Sequence, residues 1–404
     1  MLPSVIRVDV HAYNSGQLDL IRALPESSKI LGVIENGLYI PREQFLVYAL
    51  FRCRDVSNLE RLRNLATAKE ALLEEILSVN DTSFCAHPQL DATEHRAEAQ
   101  DIGEALGLCL MDNVYNTNEQ DWSRIPEGPG KSLDYVASDS KRILEVESKG
   151  SFVVDRSRKS SAISKHKADI LKKKEVRRAS QERHTGVHLG TISAIDRRPG
   201  GRPTLWIVDP PVGYQERAPE YVRLLHRMDF ILGWLTLINP RSPLTVGLAN
   251  RLLDLKHIQN PSVLDGIPLT GPLNKPILPS KDPFASHGRF FSTRSVVADG
   301  PAGGLIVPSG MNEIFFAGVR EDLVDNVSSQ DFSAISGYQM TPTTLEKTVT
   351  GIISQGRFQK YGFKERSEEV VKRGTGYFAL KLRGALHYSA GGLVFGWLPR
   401  PSDL

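Results

Sequence analysis

The sequence predicts an α/β protein: a central mixed sheet flanked by helices, an N-terminal α/β module before it and a C-terminal α+β region after it. Two patterns and one size argument predict this. Strand-like segments fall at 4–10, 132–136, 142–149, 186–195 and 203–208, and helical periodicity falls between them at about 57–77, 92–111 and 161–180. At 404 residues the chain exceeds one ordinary core, so two or three domains are expected. The segmentation reads as 1–85, an α/β module; 90–212, a core that carries the chemistry; and 213–404, a recognition or oligomerisation domain.

Composition bounds the function classes. Hydrophobic residues at 40% and charged residues at 24% describe a soluble globular chain, and a net charge of +3 excludes a polybasic binder, so any nucleic-acid affinity must come from local clusters of Lys and Arg. Cys53, Cys85 and Cys109 are odd in number and show no C-x-x-C spacing, which argues against a disulfide framework and for a reducing cytoplasm. The first residues have no basic stretch followed by an apolar core, so no secretory signal is expected. The most apolar run, Phe230 to Ile238, is too short to span a bilayer.

The elements follow in order. Residues 4–10 alternate as a strand. Ile30–Ile34 and Leu38–Ile40 read as a hairpin around Asn36-Gly37, since Asn-Gly supplies the positive φ of tight turns. Ser57 with Glu60 has capping-box spacing ahead of a long helix. A second helix, Ala92 to Met111, carries Glu94, Glu98, Asp101 and Glu104, and a polar loop is expected from Asn116 to Lys131. Two strands joined by a turn at 137–140 come next, then a basic helix from Ser161 to Ser180, then strands at 186–195 and 203–208. Helices are expected at 219–238 and 246–258, a Pro- and Gly-rich connection at 260–290, and strand alternation at Tyr377–Leu382.

The chemistry concentrates in the central segment. Three acid-x-Lys triplets occur, beginning at Asp139, Glu147 and Asp254. Asp254 lies in a helical pattern, where residues two apart do not share a face, and Asp139 lies at a turn. Glu147-Ser148-Lys149 ends a strand, so Glu145, Glu147 and Lys149 share one face while Leu144, Val146 and Ser148 take the other. Only this triplet has an acid, Asp134, in a preceding strand positioned to lie alongside. Two carboxylates can hold Mg²⁺ or Mn²⁺ against a phosphodiester, and a lysine beside them can stabilise charge that develops during its hydrolysis. Glu104, with Glu98 as second choice, is the helix acid expected to complete the set. The bland reading of the same pattern is a solvated sheet face with cross-strand ion pairs.

Asp134, twelve intervening residues and Glu147-Ser148-Lys149 together resemble the active site of the PD-(D/E)xK nuclease superfamily, the restriction-endonuclease-like fold. The likeness covers about residues 90–212. Leu133 stands where that family's motif has Pro, and the first core strand between the acidic helix and Asp134 is not visible in the sequence. The resemblance implies a Mg²⁺- or Mn²⁺-dependent endonuclease acting on DNA. Asp134, Glu147 and Glu104 are then the metal ligands and Lys149 the catalytic cation. A role in restriction or anti-phage defence, a homo-oligomer and a regulatory or defence-system partner are also implied. A non-catalytic nucleic-acid-binding or assembly protein and an RNA-directed nuclease are the alternatives.

The basic segment fits a nucleic-acid partner. From Asp155 to His184 there are eleven Lys and Arg against four Asp and Glu, a local excess of +7. Lys165, Lys167, Lys172 and Lys173 are the expected phosphate contacts, with Lys165 the expected extra cation at the site. His184-x-x-x-His188 spans a strand start and is not expected to bind metal.

Overall fold

The computed structural model describes residues 2–52, 59–125, 133–179, 186–208, 218–258, 260–271, 275–277, 301–309, 313–360, 370–373 and 376–399. The chain divides into two compact units, one of Met1–Arg54 with Ala68–His226, the other of Asp55–Thr67 with Arg227–Leu404.

In chain order the first unit contains β1 (Val5–Ala12), α1 (Ser15–Arg22), α2 (Ser27–Asn36), β2 (Leu38–Pro41), α3 (Arg42–Val47) and the later turns of α4 (Leu59–Ile76). There follow β3 (Leu77–Val79), β4 (Phe84–Ala86), α5 (Arg96–Tyr115), β5 (Ser123–Arg124), β6 (Tyr135–Ser138) and β7 (Ile143–Val153). α6 (Ser161–Ala179), β8 (Gly186–Asp196), β9 (Thr204–Val208) and the start of α7 (Pro219–Ile238) complete it. Seven strands form one mixed sheet in the order β2-β1-β9-β8-β7-β6-β5. β8 runs parallel to β7 along its whole length, while β6 is antiparallel to β7 and covers only Ile143 to Val146.

The expected break between residues 85 and 90 does not divide the sheet. β1 buries Ile6, Val8 and Val10 by simple alternation and pairs in parallel with β9, Asp9 opposite Thr204 through Ala12 opposite Ile207. Such a pairing joins chain ends almost 200 residues apart, and no local pattern announces it.

The hairpin expected at 30–40 is half right. Leu38–Pro41 is a strand, but Ile30–Ile34 lies inside α2, with Ile30 and Val33 buried one turn apart. Gly37 does adopt φ +83°, and it ends a helix, donating to the carbonyl of Val33.

The polar loop expected at 116–131 is a loop from Asn116 to Trp122, followed by the two-residue β5, but it is largely a buried one. Thr117 to Asp121 are buried. Several of their polar groups bond within the unit: Asp121 takes two bonds from the Arg223 guanidinium, and Asn118 accepts from the Gln120 N–H. Beside them Asp112 accepts from Tyr48, Thr117 and Trp122, and burial pushes its carboxyl up to about 7. The remainder of that expected loop, from Pro126 onwards, lies outside the described residues.

α5 packs on one face of β7 and β8 at very short range. A Cβ on Gly150 would sit 1.9 Å from the Ala99 carbonyl oxygen, and one on Gly103 would sit 2.5 Å from the Gly150 Cα. These two glycines set how near the helix lies to the strand. α6 covers the opposite face, seating Ile163 and Ile170 with Val153, Ile192 and Ala194.

The second unit holds the first turns of α4, most of α7, and α8 (Pro243–His257), whose Ser242 cap accepts from the Thr245 N–H. Its later elements are β10 (Pro301–Ser309), β11 (Glu313–Arg320), α9 (Glu321–Ser329), α10 (Phe332–Gly337), β12 (Thr343–Ser354), α11 (Gln355–Lys360), β13 (Val370–Arg373), β14 (Tyr377–Tyr388) and β15 (Leu393–Pro399). The sheet is antiparallel in the order β10-β11-β15-β14-β12, with β13 also on β14, around Ile314, Phe316, Leu380, Leu382 and Val394. Among the described residues no helix is long and apolar enough to cross a membrane, and Cys85 and Cys109 are buried free thiols. Cys53 lies outside the described residues.

Candidate active site

The site forms where β6 runs out. β8 continues beside β7 to Val153, but on the other side the β6 ladder ends at Val146. Beyond that point the backbone groups of β7 need other partners. The Asp134 N–H donates to the Val146 carbonyl at 3.0 Å, and the Ser148 N–H donates to Asp134 Oδ2 at 3.2 Å. Gln100, from α5, then takes the next two groups: its Nε2 donates to the Ser148 carbonyl at 2.8 Å, and its Oε1 accepts from the Gly150 N–H at 3.3 Å. Among the described residues, a carboxylate and a carboxamide thus meet the hydrogen bonds of this edge of β7. The Asp134 carboxylate is thereby fixed at the edge of β7.

Along β7 the alternation places side chains as the sequence predicts. Ser148 turns to α5 and donates to the Gly103 carbonyl at 2.9 Å. Glu147, Lys149 and Ser151 turn to α6, where Ser151 meets His166 at 2.7 Å. Glu147 is fully buried and Lys149 largely so. The Lys149 Nζ lies 2.6 Å from Glu147 Oε1 and 3.5 Å from Asp134 Oδ2.

A second ammonium joins from α6. Lys173 Nζ lies 3.2 Å from Asp134 Oδ1, 2.6 Å from Glu147 Oε1 and 2.7 Å from Glu147 Oε2. It therefore bridges the two carboxylates. Both ammonium groups approach Glu147 Oε1 off its hydrogen-bonding directions, so that buried oxygen has charged neighbours but no aligned hydrogen bond.

These contacts set the protonation. Burial and the negative charge of Asp134 push the Glu147 carboxyl up to about 7, against the opposing pull of Lys149 and Lys173. Burial penalises the Lys149 ammonium, but Asp134 and Glu147 outweigh it and hold its pKa above the usual lysine value. Burial, then the charge of Lys149, holds His166 below the usual histidine value.

The structure brings together Asp134, Glu147 and Lys149, as their spacing predicts. Glu104 lies beside the pair rather than within it. Its carboxylate accepts from Tyr135 Oη at 2.5 Å and from Gln100 Nε2 at 2.8 Å, on the α5 side of the sheet, although its charge still reaches Lys149. Glu98 faces His95 in the first turn of α5, at 3.7 Å. Among the described residues no three His, Cys, Asp or Glu side chains gather as metal donors. Lys165 and Lys172 are exposed on α6, and Lys167 lies over the Tyr13 ring at 4.5 Å. The extra cation at the carboxylates is therefore Lys173, and Lys165 does not take that place. The two other acid-x-Lys triplets have local roles: Asp139 caps the β6–β7 turn by accepting from the Lys141 and Arg142 N–H groups, and Asp254 lies within α8. His184 lies outside the described residues, and His188 faces Glu145 at 3.4 Å.

The donor set suits a hard divalent cation. Two carboxylates already share two cationic neighbours, Lys149 and Lys173, and Glu147 Oε1 lacks an aligned hydrogen bond. Oxygen donors of this kind hold Mg²⁺ or Mn²⁺, and Mg²⁺ keeps several waters instead of demanding a full protein cage. No protein-family model, curated protein or solved structure matches the chain.

Proposed function

We propose that the chain is a metal-dependent endonuclease that hydrolyses phosphodiester bonds of DNA, with a restriction-endonuclease-like core of the PD-(D/E)xK kind. The observation that carries this reading is the meeting of the Asp134 and Glu147 carboxylates at one cationic point, with Lys149 beside them on the same strand. The order of elements supports it as well. Asp134 directly precedes β6, which lies next to the Glu-x-Lys strand, α5 and α6 cover the two faces, and the two-residue β5 lies between α5 and Asp134, where the resemblance expects a strand.

Asp134 and Glu147 are the residues that would hold Mg²⁺ or Mn²⁺, which when bound draws in a phosphate, acidifies water and offsets charge on the leaving oxygen. The protein's own contributions are distinct. Lys149 keeps its proton at neutral pH and places a fixed positive charge where negative charge develops on the phosphoryl group. On the side of β7 away from β8, Gln100 and Asp134 hold the Glu147–Lys149 stretch in register. The exposed Lys165 and Lys172 offer sequence-independent phosphate contacts. A defence role and assembly into a homo-oligomer or with a regulatory partner belong to the same reading.

The test is incubation of the purified protein with plasmid, linear duplex, single-stranded DNA and RNA, in Mg²⁺ or EDTA. Cleavage of DNA in Mg²⁺, abolished by EDTA and by Asp134→Ala, Glu147→Ala or Lys149→Ala, is expected. Cleavage that survives all three substitutions refutes the site, and cleavage confined to RNA refutes the substrate. A second reading, a nucleic-acid-binding protein without catalysis, is favoured by the neutralisation of both carboxylates by Lys149 and Lys173. Binding without cleavage on every substrate would establish it.

A further inference from the structure

We infer that Lys173 is an internal competitor for the divalent cation: its ammonium fills the gap between the Asp134 and Glu147 carboxylates and must withdraw before a metal ion binds there. This inference rests on the metal-dependent reading above and adds a control to it.

Lys173 and Lys149 touch the same carboxylates but differ in their freedom to leave. Lys149 stands on β7 itself, two residues from Glu147, and its position is fixed by the strand. Lys173 reaches across from α6, a separate element, and its side chain is 23% exposed, against 18% for Lys149 and none for Glu147. The two lysines are thus similarly exposed, and what sets Lys173 apart is that it is anchored on the helix and not on the strand that carries Glu147. It also makes contacts with three oxygens of the two carboxylates, at 2.6 to 3.2 Å, the oxygens a metal ion would need.

Charge counting gives the competition its direction. With both carboxylates ionised, as a metal ion requires, Asp134, Glu147, Lys149 and Lys173 sum to zero. A divalent cation added with Lys173 in place would leave a net charge of +2 in a buried cluster, which low-polarity surroundings resist. With Lys173 withdrawn, the same cation plus one phosphodiester returns the cluster to zero. The arrangement thus disfavours metal alone and favours metal together with a phosphate. In the resting state a well-paired lysine also spares the protein an uncompensated buried charge. Loss of these charge-assisted contacts on metal entry sets the expected effect at roughly tenfold or more in metal affinity.

Mn²⁺ binding, followed by the electron paramagnetic resonance signal of the free ion, tests this without reference to cleavage. Wild type, Lys173→Met, Lys173→Arg and Asp134→Asn are compared, with the double variant Lys173→Met/Asp134→Asn. Methionine keeps the aliphatic stem without the charge, and arginine keeps the charge. The expected result is binding at least about tenfold tighter in K173M than in wild type or K173R, lost in both chains that carry D134N. Binding that depends on Asp134 but is equal or weaker in K173M overturns the competitor role and leaves the metal reading standing. An equal gain in K173R assigns the effect to packing and also overturns it. Mn²⁺ binding that is absent, or indifferent to D134N, overturns the metal reading and this inference with it.

Discussion

Glu147 makes a quantitative demand on stability that unfolding can read. An unfolded glutamate releases its proton near 4.5, whereas burial and the neighbouring Asp134 raise Glu147 in the folded chain to about 7. Between these values the folded state holds the proton more tightly than the unfolded one, so stability falls as pH rises through the window and the loss is complete above the folded value. The gap corresponds to about 3 kcal/mol. Glu147→Gln removes the titration and keeps the shape. Its other effect, the loss of one carboxylate partner for Lys149 and Lys173, is an offset largely independent of pH across this range. The assay is urea unfolding of both chains from pH 4.5 to 8, following the first unit through the buried Trp122. The stability of the glutamine variant relative to wild type is expected to rise by about 3 kcal/mol across that range. Asp112, also near 7 and bonded to Trp122, titrates alike in both chains and cancels. A constant difference would mean that Glu147 stays ionised throughout, and a slope of opposite sign would mean that the two lysines dominate. Either result would refute the electrostatic account of the site.

Three further outcomes follow from the same geometry. Gln100→Ala leaves the Ser148 carbonyl and the Gly150 N–H without their partner, and is expected to cost about 1–3 kcal/mol by urea unfolding and to lower kcat more than it raises KM. An unchanged kcat would remove Gln100 from the positioning of the site. Gly150→Ala forces a methyl into the Ala99 carbonyl, where only backbone movement can relieve the clash, so a loss of about 3 kcal/mol or more is expected, read as a lower Tm. Lys165→Ala and Lys172→Ala should each lower the slope of log affinity against log salt for duplex DNA by about 1, without changing the pH dependence of unfolding. An unaltered slope would mean that DNA does not run along that face of α6.

Much of the first unit was legible because its signals are local. The β6–β7 turn, the alternation that puts Glu147 and Lys149 on one face, and the extent of α6 follow from spacing alone. The errors fall where a distant part of the chain decides. Ile30–Ile34 carries a strand-like composition, yet its isoleucine and valine pack one turn apart in a helix that Gly37 terminates. The run Thr117–Asp121 is the loop its composition suggests, but nothing local says that it is buried, with Arg223 of α7 meeting Asp121. Lys173 could have been found by helical geometry. Ile163 and Ile170 stand seven residues apart and define the buried stripe of α6, on which His166, Lys173 and Lys174 fall while Lys165 and Lys172 do not. Charge density pointed to the right segment, but only the apolar seam says which lysine turns inward.

The early end of β6 unites these observations. The β6 ladder gives the backbone of β7 its partners only from Ile143 to Val146. At Ser148 and Gly150, among the described residues, one residue's carboxylate and one helix's carboxamide take over, and each is held by the strand it bonds. Glu104 then has a role that needs no metal contact: it accepts from Gln100 and Tyr135, orienting the carboxamide that holds the edge. Asp134 takes a strand's place at the Ser148 N–H while it faces two ammonium groups, so its position depends on β7 and not on a flexible rotamer. Changing Asp134 should therefore disturb the register of the Glu147–Lys149 stretch as well as its charge. Asp134→Asn, which can still accept from Ser148 N–H, should keep the native unfolding curve in conditions where Asp134→Ala loses about 1–3 kcal/mol. Equal stability of the two variants would separate the carboxylate from the strand edge and leave it with an electrostatic role alone.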